Sequence, residues 1–189
     1  MLDMPKLKPL AKSQESLTPV TDKKPASVMI DDSKRLKEIR KLVETNNKSS
    51  IDTNTIICQI YMESRFDANA GAGHNARGLM QMQMQAVQQV YKYRKKKQLG
   101  RTPSDEQTKV VFAEGKAFHA SASIFDEAKN IQLGTEYMQY WIDVSSSIEE
   151  AYKKYRGLSN GVYYKKISAC ATKLATSPDS MQVLRDNIK

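Results

Sequence analysis

Apolar residues recur three and four positions apart along most of this chain, the spacing of one face of a helix. Leu36, Ile39, Leu42 and Val43 form such a stripe behind Ser33, a residue suited to cap a helix start. A second helix is expected from Asp52, which can cap TNTIICQIYMESRF. Ile56 with Ile60, and Ile57 with Tyr61, give it a broad apolar face. A third helix covers LMQMQMQAVQQVYKYRKKK. A fourth fits DEAKNIQLGTEYMQYWID, with Ile131, Tyr137, Met138, Trp141 and Ile142 facing inward. Gly134 falls on that stripe, where the missing side chain permits close helix approach and offsets the roughly 1 kcal/mol that a helical glycine costs. Two further helical pieces, SSSIEEAYKKY and VYYKKISACATKL, flank the turn RGLSNG. Residues 98–121, with Gly100, Pro103 and Gly115, read as irregular, and the polar stretch 67–78 reads as a glycine-bearing loop. No alternating strand pattern interrupts this series, so a mainly α fold is expected.

The first 30 residues differ in kind. Pro5, Pro9, Pro19 and Pro25 stand among scattered lysines with few apolar residues, so residues 1–30 read as a flexible tail and 31–189 as one domain. The tail lacks the continuous apolar core of a secretory signal. No apolar run reaches the roughly 20 residues that cross a bilayer. A chain of this length can bury about 70% of its unfolded surface, so its core requires neither a metal nor a disulfide. Cys58 and Cys170 lack ligand-type spacing. They are either two small buried apolar side chains or a long-range disulfide, which would matter in an oxidising compartment. His74 and His119 are isolated, and Met80, Met82 and Met84 alternate rather than share a helix face, so no metal site is expected.

Glu63 is the residue best placed for chemistry, at the far end of an apolar helix and just before the glycine-bearing loop. An apolar setting penalises the carboxylate and raises its pKa, and the negative end of the helix dipole pushes the same way. A carboxyl held partly protonated can donate a proton to a glycosidic oxygen. By itself, a glutamate at a helix end is more commonly just solvated.

Its surroundings add specificity. MESRFDANAGAGHNARGLMQ resembles the signature of soluble lytic transglycosylases and goose-type lysozymes, in which E-S-x-F precedes a loop and then G-L-M-Q. Here these are Glu63-Ser64-Arg65-Phe66 and Gly78-Leu79-Met80-Gln81, with Ala70 where that family often has alanine. Asn130-Ile131-x-x-Gly134-x-x-Tyr137 is similar to the family's N-I-x-x-G-x-x-Y helix, and Ala151 to Gly157 falls where the family has A-Y-N-x-G. The resemblance spans roughly residues 50–170. It implies a lysozyme-like domain with a deep substrate cleft, in which Glu63 is general acid and then base. Gly78, Leu79, Met80 and Gln81 would line the cleft, the Gln81 amide helping to hold the sugar, while Ser64 orders the loop and Asn130 and Tyr137 join the substrate-binding set. A tyrosine of the A-Y-N motif usually contacts the glutamate, which here means Tyr155 or Tyr152. Gly157 follows closely on Tyr155 and favours it. Lysine or arginine stands where the family has asparagine, so the register is ambiguous, and Met82-Gln83-Met84 replaces the usual M-P.

The implied substrate is peptidoglycan, cut at the β-1,4 bond from N-acetylmuramic acid to N-acetylglucosamine, without a cofactor. Glycosidases usually carry two carboxyls. Goose-type lysozymes have aspartates in the loop and just after G-L-M-Q, whereas GAGHNARG and MQMQ contain no acid. The sugar's own 6-hydroxyl then becomes the favoured nucleophile, leaving a 1,6-anhydro-muramyl end. Hydrolysis of the same bond is the alternative, with Asp67 and Asp126 as the remaining helpers.

Net charge of +9 favours anionic partners. The densest basic cluster, Lys92 and Arg94 to Lys97 with Tyr91 and Tyr93 interleaved, is either a solvated helix end or a surface attracted to anionic wall polymer. No nucleic-acid module accompanies it. With no export signal recognised, the expectation is a cytoplasmically made protein exported by a non-Sec route to a target's periplasm or wall. Type VI injection as an antibacterial effector fits, with a secretion-apparatus component and an immunity protein as partners; release by a phage holin competes. Rivals from other classes are a catalytically silent wall-binding or assembly module and a basic nucleic-acid binder.

Overall fold

Ile56, Ile57, Cys58, Gln59 and Ile60 are all fully buried, so the second predicted helix is apolar nearly all round and runs through the centre of the domain. The structure is a computed structural model that describes residues 32–189; the tail expected over 1–30 lies outside the described residues. Among the described residues eight helices follow one another: α1 (Lys34–Asn46), α2 (Thr53–Ser64), α3 (Met84–Leu99), α4 (Asp105–Ala120), α5 (Glu127–Asp143), α6 (Ile148–Arg156), α7 (Val162–Thr176) and α8 (Met181–Asn187). A 3-10 turn over Ala122–Phe125 leads into α5. Among the described residues no strand forms, only an isolated bridge between Arg77 and Met82, and the domain is mainly α.

Local chemistry explains where α2 begins. The Asp52 carboxylate accepts the Thr55 N–H at 3.0 Å and the Thr55 hydroxyl at 2.6 Å, satisfying donors that a helix start leaves unpaired. The α1 stripe of Leu36, Ile39 and Val43 is fully buried, with Leu42 packed beside it. Burying an aliphatic side chain of this size contributes about 1.5–3 kcal/mol. Helices α1 and α7 both pack on α2, and α5 packs on α1, α3 and α6.

Two expectations are corrected and one open choice is resolved. The third helix starts at Met84, five residues later than read, because Gly78 to Gln81 are held in a tight turn by paired hydrogen bonds between Arg77 and Met82 at 2.9 and 3.2 Å. Most of the stretch read as irregular is α4. Pro103 stands just before its N-cap, Ser104, which forms a capping box with Gln107. Gly115 lets α4 close onto α3, since a β-carbon there would sit 3.0 Å from the Gln88 α-carbon. Of the two readings open for the cysteines, the disulfide is the one that forms: Cys58 of α2 and Cys170 of α7 are bonded, with α-carbons 6.2 Å apart.

Candidate active site

Glu63 lies in the last turn of α2, and the chain bends sharply after it. Arg65 and Phe66 both take left-handed backbone conformations, with φ of 53° and 68°. Such positions cost energy in a non-glycine residue and persist only where neighbours fix them. Here the Phe66 ring is buried edge-on to Tyr61, at 5.1 Å between centroids, and the Arg65 guanidinium lies over the Tyr61 ring, 4.8 Å from its centroid. Arg35 donates to the Phe66 carbonyl at 2.9 Å and pairs with Glu127 at the start of α5.

The Glu63 side chain is 5% exposed. Its carboxylate accepts a hydrogen bond from the Tyr163 hydroxyl, at the start of α7. It also takes both of its oxygens to Nη1 of Arg156, at the end of α6, at 3.2 and 3.1 Å. Burial pushes the Glu63 pKa upward; the Tyr163 hydrogen bond and the Arg156 charge pull it down, and burial prevails. The Tyr163 hydroxyl is itself pushed well up, by burial and by the neighbouring Glu63 charge, so it stays a proton donor to the carboxylate.

A cleft of about 200 Å³ opens at Glu63, walled by the Gln81–Ala86 segment on one side and by Tyr137, Tyr155 and Arg156 on the other. Among the described residues Glu63 is its one acidic lining residue. Asp67 lies in the following loop, where it accepts the Asn69 N–H, and Asp126 caps α5. The geometry therefore offers one buried carboxyl, held by two donors and open to a cleft of polar and aromatic groups.

The residues singled out from sequence separate into two layers. Gln81, Tyr137 and Tyr155 line the cleft with Glu63. Gln81, at φ 48°, donates its amide to the carbonyls of Ala70 and Gly78 at 3.2 and 2.9 Å, which ties the turn to the preceding loop. Leu79 and Met80 are fully buried and Gly78 is buried, so they shape the turn from behind and are not part of the cleft wall. Asn130 is likewise buried. It accepts the Met80 N–H at 2.8 Å and donates to the carbonyls of Arg77 and Ile124 at 3.0 and 2.8 Å, fastening the turn to α5. A β-carbon on Gly78 (φ 76°) would fall 2.3 Å from the Asn130 amide nitrogen, and one on Gly134 would fall 2.3 Å from the Met80 sulfur. Gly134 thus admits Met80 of the turn, where a neighbouring helix was expected. Ser64 donates to the Ile60 carbonyl within α2.

The tyrosine assignment is corrected. The Tyr155 hydroxyl donates to the Met80 carbonyl at 3.0 Å, and Tyr152 is buried with its hydroxyl on Gln59 at 3.0 Å. Tyr163, not Tyr152 or Tyr155, is the tyrosine hydrogen-bonded to Glu63. Arg156 stands in the family's asparagine register when Tyr155 is taken as the motif tyrosine, but the sequence leaves that register ambiguous and gives no sign of the pairing with Glu63. Tyr163 carried no signal, since its helix follows a turn whose path the sequence does not specify.

No curated protein and no solved structure matches the chain. A family model described as the transglycosylase SLT domain matches residues 42–160, a span that contains Glu63, the Gly78–Gln81 turn, α5 and Arg156. That span is more than half of the chain, and the protein belongs to the SLT family, whose activity is transglycosylase-type cleavage of peptidoglycan.

Proposed function

We propose that the protein is a lytic transglycosylase that cuts the β-1,4 bond after N-acetylmuramic acid and leaves a 1,6-anhydro end. The observation that carries this reading is the lone carboxyl of the cleft: among the described residues Glu63 has no acidic partner there to act as nucleophile or to activate water. Protonated Glu63 gives its proton to the glycosidic oxygen as the bond to C1 breaks. The resulting carboxylate accepts the proton of the same sugar's 6-hydroxyl while O6 bonds to C1. The glutamate ends protonated, and no water is consumed.

Arg156 and Tyr163 bear on both halves of that cycle, because both favour the ionised carboxyl. They help Glu63 release its proton and weaken its hold on the next one. Arg156→Gln and Tyr163→Phe each remove a group that lowers the Glu63 pKa, so the carboxyl stays protonated to higher pH. The alkaline limb of kcat/KM is therefore expected to move upward in each variant. A limb that stays in place or moves down contradicts Glu63 as the titrating acid.

Mass spectrometry of digested peptidoglycan tests the reaction: muropeptides one water lighter than hydrolytic products are expected, and full-mass reducing ends would make the enzyme a hydrolase. The disulfide favours an oxidising place of action. We infer action in the periplasm or wall of a target bacterium, with delivery as an injected antibacterial effector and an immunity protein in the producer. Directing the chain to a periplasm is expected to cause lysis, and unimpaired growth there excludes the effector role.

A further inference from the structure

A second groove, of about 1030 Å³, lies between the C-terminal half of α3, the C-terminal end of α5 and the loop after α1. Lys92, Lys96 and Lys97 of α3 face it together with Lys48 of the loop. None of these four lysines makes an ion pair with a described residue, whereas Arg94 on the neighbouring face of α3 is paired with Glu136. Among the described residues the groove holds one acid, Asp143, whose oxygens accept from the Tyr93 hydroxyl and the Gln139 amide, each at 2.7 Å. Four cations against one engaged carboxylate make a concave surface with excess positive charge, and such surfaces concentrate anions.

The groove follows on from the Glu63 cleft. Gln85 and Ala86 of α3 wall the cleft, and Gln89, one turn further, lines the groove. A line of tyrosine rings, running from α6 and α5 to Tyr93 of α3, connects the two. Tyr155 and Tyr137 are 5.4 Å apart, Tyr137 and Tyr140 are stacked at 6.4 Å, and Tyr140 meets Tyr93 at 5.9 Å. From Gln85 to Lys96 is about 17 Å along the helix axis at 1.5 Å per residue. An extended glycan strand bound at Glu63 and following this aromatic line reaches the lysines.

We propose that this lysine-lined groove binds the carboxylate-bearing peptide stems of the strand being cut, so that the enzyme selects stem-bearing glycan over bare glycan. The proposal rests on the reading that the substrate is peptidoglycan. Stems branch from the muramyl sugars and carry free carboxylates, which places anions beside the sugar chain, where these lysines lie. Four exposed or half-buried ammonium groups can hold stems of varied sequence, because point charges on flexible side chains impose little geometry.

The test compares kcat/KM on purified strands with intact stems and on strands stripped by an amidase. The wild type is expected to prefer stem-bearing strands by about tenfold at low salt, the combined effect of three exposed ion pairs. The preference should fade as salt screens the charges. Lys92→Glu/Lys96→Glu/Lys97→Glu should bring the ratio to unity or below, and the milder Lys96→Gln/Lys97→Gln should fall between, which guards against misfolding of the triple variant. A wild type without preference, or a triple variant that keeps it, overturns the proposal. So does a preference that appears only on stripped strands bearing a phosphate polymer, since the groove then reads phosphate. If the wild type cuts neither strand, the proposed activity fails; salt-dependent binding of a free stem peptide, abolished in the triple variant, then supports the groove on its own, and its absence overturns it.

Discussion

Glu63→Gln is expected to lower kcat for glycan cleavage by about 10³-fold, within the 10²–10⁴ that a positioned general acid–base contributes, while KM changes little. Glutamine keeps the shape of the side chain and can still meet Tyr163 and Arg156, but it has no proton to give and no carboxylate to take one back. The fold should not suffer. Burial raises the folded-state pKa of Glu63 above its ordinary value of 4.5, so the folded chain binds this proton more tightly than the unfolded chain does. The stability gained from that proton is fully present below pH 4.5 and is lost as pH rises through the folded-state pKa. Above it, the buried carboxylate is a net cost that glutamine does not carry. Relative to the wild type, the variant's Tm should therefore improve from pH 4 to pH 7. A kcat within tenfold of the wild type would remove Glu63 from the chemistry. A relative Tm that falls across this pH range would show instead that the Arg156 and Tyr163 contacts outweigh burial.

That the side chain expected to catalyse also burdens the fold bears on how much of the site was legible beforehand. Glu63 stood out because an apolar helix ended on an acid beside a glycine-bearing loop, and each of these signals is local. The Asp52 cap, the α1 stripe and the mainly α architecture were legible for the same reason. Leu79 to Gln81 of the turn read as helix because its apolar residues, Leu79 and Met80, face the core from behind the cleft. The contacts that reveal this, Asn130 on Met80 and Tyr155 on the Met80 carbonyl, join residues 50 and 75 positions apart. Helix α4 was hidden by Pro103 and Gly115, two residues that ordinarily break helices. One precedes the cap here and the other serves a close helix contact, although the Ser104–Gln107 capping box was there to be read. Tyr163 reaches Glu63 across 100 positions, a distance over which periodicity carries no information.

The same long-range packing makes removal of the disulfide the second large effect. Cys58→Ser/Cys170→Ser is expected to lower stability by about 4 kcal/mol, because the bridge closes a loop spanning 112 positions and restricts the unfolded chain. For a domain of this size that corresponds to a Tm lower by roughly 10–15 °C. Reduction of the wild type should reproduce the drop, and the double variant should not respond to reductant. Activity should fall as well, below the melting range. Glu63 lies five residues beyond Cys58 on α2, and Tyr163 lies seven residues before Cys170 on α7. The bridge and the Glu63–Tyr163 hydrogen bond are thus two successive ties between antiparallel helices, about 8–10 Å apart at 1.5 Å per residue. Loosening the first tie lets the second open, and an α7 free to shift removes one of the two donors that hold the carboxyl in place. The enzyme should then be firm and active where thiols are oxidised, and weaker where they are reduced. Thermal unfolding and strand cleavage, each measured with and without reductant, check both parts. Equal Tm in the two conditions shows that helix packing alone fixes α7 on α2. A lowered Tm with undiminished cleavage shows that Glu63 does not depend on the position of Tyr163.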